Sequence, residues 1–204
     1  MTAEIRVLQQ VRLKGRPRAT EIADSAGLSS DSVTEVLGPL LESGDVTETN
    51  GRVKITAEGR TRLSALIEVE RADLDLEALS VAYHQFDYFN SGFKQLVADW
   101  QLKDGSTPND HSDAQYDAVV IARLEVLHER FLPILHGMCA IAPRLAPYPH
   151  RFSVALAKVL SGEHGWLARP LIDSYHTVWF ELHEDLIGLT GRSRVEEAAA
   201  GRAE

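Results

Sequence analysis

The sequence predicts a mainly α-helical chain in two parts, with one β-hairpin in the first. Three observations carry this expectation. Apolar residues recur at helical spacing along most of the 204 residues. An Asn-Gly dipeptide, Asn50-Gly51, sits between two alternating segments, the strongest short-range hairpin signal. Charge and histidine are also unevenly spread. Residues 1–70 carry 9 Lys+Arg against 11 Asp+Glu and no histidine, whereas residues 71–204 carry 12 against 19 and all eight histidines. A first domain of residues 1–70 and a second of residues 71–204 follow.

In the first part, Ile5, Leu8, Val11 and Leu13 define a short helix over residues 4–13, stopped by Gly15 and Pro17. A second short helix starts from Thr20 as N-cap, with Glu21 and Asp24 near its positive end and Ile22, Ala23 and Ala26 inward. Gly27-Leu28 reads as a tight turn and Ser29/Ser30 as the next N-cap. The third helix carries the stripe Val33, Val36, Leu37, Leu40 and Leu41 and closes at Gly44. A type I′ turn at Asn50-Gly51 sets Val46 opposite Ile55 and Glu48 opposite Val53 on one face. Thr47 then faces Lys54, and Thr49 faces Arg52, on the other.

Helix, helix, turn, helix, hairpin is the order of a winged helix–turn–helix. The carrying segments are Ala19-Thr-Glu-Ile-Ala-Asp-Ser-Ala-Gly-Leu-Ser29, Val33…Leu37…Leu40-Leu41-Glu-Ser-Gly-Asp-Val46 and Gly51-Arg-Val-Lys-Ile-Thr-Ala-Glu-Gly59-Arg60. Over residues 4–70 they resemble winged-helix bacterial transcription regulators, most closely the MarR-like pattern. The resemblance implies DNA binding through a recognition helix and a wing. Three departures stand beside it: only a short helix precedes the motif, the wing tip reads Asn50-Gly51-Arg52 rather than Asp-x-Arg, and no Lys or Arg occurs between Ala19 and Gly51.

Affinity for a duplex comes largely from cations that neutralise phosphates. The candidate DNA contacts are therefore Arg12, Lys14, Arg16 and Arg18 around the first connection, Arg52 and Lys54 on the hairpin, and Arg60 in the following helix, where Arg62 also lies. Ser30, Ser32 and Thr34 add polar candidates at the start of the third helix. That helix turns Asp31, Thr34, Glu35, Gly38 and Glu42 outward and holds Pro39, poor chemistry for reading a groove. Two functions stay open: a transcription regulator gripping double-stranded DNA by the flanks, and a non-DNA-binding adaptor using the winged helix for protein contacts. A regulator reading paired half-sites implies a homodimer, with its seam at the N-terminal helix or the face of Asp75–Leu102.

The second part reads as an all-helical bundle serving as effector or dimerisation domain. Thr56 caps a helix over Ala57–Glu70. Asp75–Leu102 follows, with Leu79, Tyr83, Phe86, Phe93, Val97 and Trp100 on one face. Lys103–Asp113 reads as an exposed loop, Ala114–Met138 as a helix kinked at Pro133, and Ala142–His150 as a proline-stiffened connector. Helices over Phe152–Leu160 and Leu171–Leu189 come next, then a charged, frayed tail over Arg192–Glu204. No strand signal follows Thr56.

The last long helix is apolar around most of its circumference, which places it mid-bundle. His176 and His183 share a face with Trp179 and Phe180 between them, and Asp173 lies a turn before His176. With Tyr83 and Phe86 these are candidate ligand-binding residues for a small-molecule effector, with aromatic walls and imidazoles to orient a polar end. The competing reading is histidines satisfied inside the core. Glu125, His128, Glu129 and His136 form a second polar set, but no compact metal motif occurs, and neither metal nor cofactor is expected. With no glycine-rich phosphate loop and no nucleophile elbow, an enzyme is not expected. Residues 173–186 resemble an actinobacterial group of MarR-like proteins with a helical C-terminal part, loosely associated with pyruvate phosphate dikinase. That resemblance implies a regulator or accessory role and gives no ligand. The architecture is also similar to GntR-like regulators, whose metal-ligand order is not reproduced here.

Composition bounds the remainder. An apolar fraction of 44% and a charged fraction of 25% are those of an ordinary globular chain. A net charge of −9 excludes general attraction to nucleic acid or acidic membranes, so any duplex contact must rest on a local basic patch. No run approaches the ~18 apolar residues of a membrane span, and Met1-Thr-Ala-Glu-Ile-Arg has no signal-peptide core. The lone Cys139, in the apolar stretch Leu135–Ala142, reads as a buried small hydrophobe, and a cytoplasmic location is expected.

Overall fold

The computed structural model describes residues 3–192, which are mainly helical and fall into two compact units divided between Leu74 and Asp75. Unit 1 contains α1 (Ala3–Lys14), α2 (Ala19–Ala26), α3 (Ser30–Glu42), β1 (Val46–Thr49), β2 (Arg52–Ile55) and α4 (Ala57–Ala72). Its core is one cluster that includes Leu8, Val11, Ile22, Val33, Leu40, Val53 and Leu63.

The hairpin has the register its turn dictates: Val46 pairs with Ile55, Thr47 with Lys54, Glu48 with Val53 and Thr49 with Arg52. Asn50 and Gly51 take φ of 53° and 71°, the positive values a type I′ turn requires. Ser29 caps α3, its hydroxyl accepting from the Ser32 amide at 3.1 Å. The α2 start differs from expectation. Thr20 lies inside the helix and Arg18 is the N-cap residue, its amide donating to the Glu21 carboxylate at 2.8 Å. An acid at the third helical position can satisfy the cap amide, so a hydroxyl at the cap is not needed. The inward stripe of α3 ends at Leu40, and Leu41 is exposed. The helix continues through Pro39 to Glu42.

One glycine is fixed by close approach. The Thr56 amide donates to the Asp45 carbonyl, and the Thr56 hydroxyl accepts from the Gly59 amide, which draws the first turn of α4 onto the chain before β1. A Cβ at Gly59 would stand 2.0 Å from the Asp45 carbonyl oxygen. Gly59→Ala is therefore expected to destabilise the protein by about 1–3 kcal/mol in urea unfolding, because backbone overpacking outweighs the gain in helix propensity. A stabilised variant would contradict that contact.

Unit 2 contains α5 (Leu76–Gln101), β3 (Leu102–Lys103), β4 (Thr107–Pro108), α6 (Ala114–Ile141), α7 (Tyr148–Leu160) and α8 (Tyr175–Thr190), with single 3-10 turns at Pro143–Leu145 and His164–Trp166. Four expectations are corrected here. The segment after α5 forms a short β3–β4 hairpin, and Asn109 is buried, donating to the Asp117 carboxylate at 2.9 Å and to the Trp100 carbonyl at 3.1 Å. Helix α6 passes Pro133 and ends at Ile141. Helix α7 begins at Tyr148 inside the expected connector, because Pro149 falls in the first turn, where a missing amide costs nothing. Helix α8 begins at Tyr175, not Leu171: the Ser174 hydroxyl accepts from the Thr177 amide at 3.3 Å and caps it, which leaves Asp173 off the helix. Of the expected frayed tail Arg192–Glu204, Arg192 donates its amide to the Ile187 carbonyl at 3.1 Å, and residues 193 onward lie outside the described residues.

Ten of the sixteen α8 residues are buried, so this helix forms the interior of unit 2. Trp179 is its hub, with ring centroids 4.4 Å from Phe93, 4.7 Å from Phe131 and 5.1 Å from Phe86. Among the described residues, no helix is long and apolar enough to cross a membrane.

Candidate functional site

In unit 1 the connection before α2 and the tip of the hairpin are bound to each other. The Val53 amide donates to the Pro17 carbonyl at 2.9 Å, and the Arg52 guanidinium donates to the Arg16 carbonyl at 2.8 Å. The Arg18 guanidinium lies over Gly51, its Nη1 3.6 Å from the point a Cβ there would occupy. Arg16, Arg18 and Arg52 thus gather into one exposed basic rim, with Glu21 3.8 Å from Arg52 at its inner edge. Lys54 alternates to the same exposed side of β2 as Arg52, and Arg60 is exposed in the first turns of α4.

The other candidates are placed differently. Arg12 and Lys14 are half-buried in the last turn of α1, where cations suit the helix dipole, and Arg12 donates to Gln9 at 3.1 Å. Arg62 is committed to structure. It donates to Glu4 at 2.6 Å and to Asp45 at 2.9 Å, and the Glu4 bond leads the contacts that raise its pKa above the ordinary value. On α3, Ser30 and Thr34 are exposed, the Thr34 hydroxyl donating to the Ser30 carbonyl at 2.9 Å, while half-buried Ser32 bonds the Ser29 hydroxyl. Asp31, Glu35 and Glu42 are exposed on the same helix.

In unit 2 the six candidate ligand residues divide. Tyr83, Phe86, Trp179 and His183 come together in the core. The Tyr83 hydroxyl lies 3.2 Å from His183 Nε2, Trp179 Nε1 donates to the Asn90 side-chain oxygen at 2.9 Å, and Phe86 stacks on Trp179. His176 is half-buried with its ring 6.0 Å from Phe93, and Phe180 is 40% exposed. In the second polar set, Glu125, Glu129 and His136 are exposed and His128 is buried with its Nδ1 3.2 Å from the Tyr175 hydroxyl. Among the described residues, no group of three or more His, Cys, Asp and Glu side chains could hold a metal ion.

Burial lowers the His128 pKa, with Glu129 opposing weakly. A lowered folded pKa means the unfolded chain binds the proton more tightly. The His128 contribution to stability is therefore complete above about pH 6.5, the ordinary histidine value, and is lost as pH falls through the lower folded value. His128→Asn is expected to flatten that part of a stability–pH curve, read by thermal melts between about pH 4 and 8. An unchanged curve would show that other groups set the dependence. Cys139 is half-buried rather than buried, and desolvation pushes its thiol up to about 11. At neutral pH it is a protonated packing residue, expected to react with a thiol reagent far more slowly in the native protein than in urea.

The most heavily buried ionic cluster among the described residues is one that sequence reasoning missed. Arg144 and the Tyr148 hydroxyl both donate to Asp185, while Arg151 donates to Asp173 at 2.9 Å and to Glu181 at 2.6 Å. Arg144, Arg151, Glu181 and Asp185 are all buried. Burial opposes the Arg151 charge, but Glu181 and Asp173 outweigh it and raise the pKa above the ordinary value. Burial, then Asp185, holds the Tyr148 phenol protonated. The signal in the sequence is Glu181 and Asp185, four apart on an otherwise apolar helix, with Arg144 and Arg151 seven apart upstream. The cluster ties the chain from Arg144 to Arg151 onto α8 and its entry.

Comparison with family models, with curated proteins and with solved structures gives no match.

Proposed function

We propose that the protein is a cytoplasmic transcription regulator. In this reading unit 1 is a winged helix–turn–helix that holds double-stranded DNA, and unit 2 serves for dimerisation or effector sensing. The observation that carries it is the basic rim of Arg16, Arg18 and Arg52, assembled by hydrogen bonds between the α1–α2 connection and the hairpin tip. With Lys54 and Arg60 it supplies exposed cations beside a helix that has none, an arrangement suited to gripping phosphates rather than reading bases. The test is retardation of genomic fragments, including the DNA upstream of the chain's own coding sequence, by the full chain at low salt. Retardation that weakens with added salt is expected; its absence at every salt overturns the reading.

The adaptor alternative is favoured by one observation of its own, the exposed Asp31, Glu35 and Glu42 on α3. That face repels a duplex and suits a basic protein surface. Charge reversal of these three residues separates the two readings: duplex affinity rises under the first, and protein capture is lost under the second.

A further inference from the structure

The α5–α6 pair carries an apolar face that the fold of unit 2 leaves uncovered. Val81 and Tyr88 on α5 are 56% and 70% exposed, and Val119 and Val126 on α6 are 57% and 54% exposed. Each pair is seven residues apart, the spacing of a seam between packed helices. Two clefts run along this face. One of about 630 Å³ is lined by Val81, Gln85, Pro133 and Gly137, and one of about 1010 Å³ by Tyr88, Phe89, Gly92, Val126 and Arg130. Open space surrounds the Cβ position of Gly92, so the floor of the larger cleft is a hole fit for a knob.

We propose that a second copy of this chain covers the face, pairing the two α5–α6 hairpins into a four-helix bundle. Charge selects the occupant and the alignment. On the larger cleft α5 supplies Asp87 beside Tyr88, and α6 supplies Arg130, 6.0 Å above the Phe89 ring, while Arg123 is already bound to Asp99 at 2.6 Å. A two-fold axis parallel to the helices lays α5 of one copy against α6 of the other. Arg130 then reaches the partner's Asp87 and Tyr88, and the same contacts repeat on the other side, as an isologous interface demands. The area is sufficient. Helix α5, 26 residues long, spans ~39 Å, and two helices side by side are ~20 Å wide, which gives roughly 800 Å² per copy, the size of a standard stable interface.

Other candidates for the role are already committed or too polar. Helix α1 buries Ile5, Val7, Leu8 and Val11 in the core of unit 1. Residues 193–204 contain a single large apolar residue, Val195, too little to cover the clefts. The inference rests on the dimerisation role proposed for unit 2 and names its surface; its failure is separable from that of the DNA reading, because dimerisation can hold while DNA binding fails, and the reverse.

The experiment is sedimentation equilibrium of the full chain at tens of micromolar, with far-UV circular dichroism of each variant. Wild type is expected at twice 22.6 kDa. Val126→Glu and, separately, Tyr88→Glu are expected at the monomer mass with unchanged helicity, since both side chains are more than half exposed. Arg130→Asp is expected to weaken the dimer at least tenfold, and Asp87→Arg combined with Arg130→Asp to restore it. A monomeric wild type overturns the proposal, as does a dimer indifferent to both glutamate substitutions or a charge swap that fails to restore one. A monomer that instead lights up an apolar dye in a Val126-dependent way also overturns it, and assigns the face to a small ligand or another protein.

Discussion

Replacing Arg151 by Ala is expected to cost the protein about 3–5 kcal/mol in urea unfolding, among the largest single-residue effects anticipated. Arg151 and Glu181 are 6% and 1% exposed and lie 2.6 Å apart, with Asp173 on the other edge of the guanidinium at 2.9 Å. The variant takes the Arg151 guanidinium away from the buried Glu181 carboxylate and from Asp173, and frees the segment that enters the helix at Ser174. The cost belongs to the buried carboxylate that loses its guanidinium rather than to the pair. Arg151→Met combined with Glu181→Leu is accordingly expected to recover most of the loss, because buried pairs are often matched by apolar residues of similar volume. A loss below about 1 kcal/mol for Arg151→Ala would mean that water reaches Glu181 in the folded protein.

What could be read from the sequence was what the chain encodes locally. The hairpin register follows from Asn50-Gly51 and a period of two, and both are contained within ten residues. The aromatic stripe of α5 and the central place of α8 follow from periods of 3.6. The starts of α7 and α8 differ from the sequence expectation because Pro149 and Ser174 have two uses each. Proline breaks a helix interior yet suits a first turn, and serine caps a helix as readily as it sits within one. The ionic cluster was illegible for another reason. Its partners are 22 to 41 residues apart, and no local pattern says which arginine meets which carboxylate. The candidate DNA surface was half legible: the residue types were evident, but the gathering of Arg52 onto Arg16 and Arg18, and the diversion of Arg62 to Glu4 and Asp45, are tertiary contacts.

If the basic rim grips a duplex, replacing Arg16, Arg18 and Arg52 together by Ala is expected to flatten the salt dependence of binding. Each phosphate neutralised contributes about 0.9 to the slope of log affinity against log salt, so three lost contacts lower it by about 2.7. At about 0.1 M salt that corresponds to a loss of roughly 500-fold, which shrinks as salt approaches ~1 M. The loss is expected on every duplex alike, because phosphate contacts carry no sequence information. Folding is expected to survive: the three side chains are exposed, and the Arg52–Glu21 pair at 3.8 Å is of the surface kind worth little to stability. Arg52→Lys separates charge from shape. It keeps the cation but gives up the guanidinium's reach to the Arg16 carbonyl, so affinity should fall modestly with the slope intact. Ser30→Ala tests the other component. An effect confined to one sequence would place the start of α3 in the groove, whereas a uniform effect would place it on the backbone. A triple variant whose slope matches wild type would remove these arginines from any duplex interface and leave the acidic face of α3, and the adaptor it suits, as the working part of unit 1.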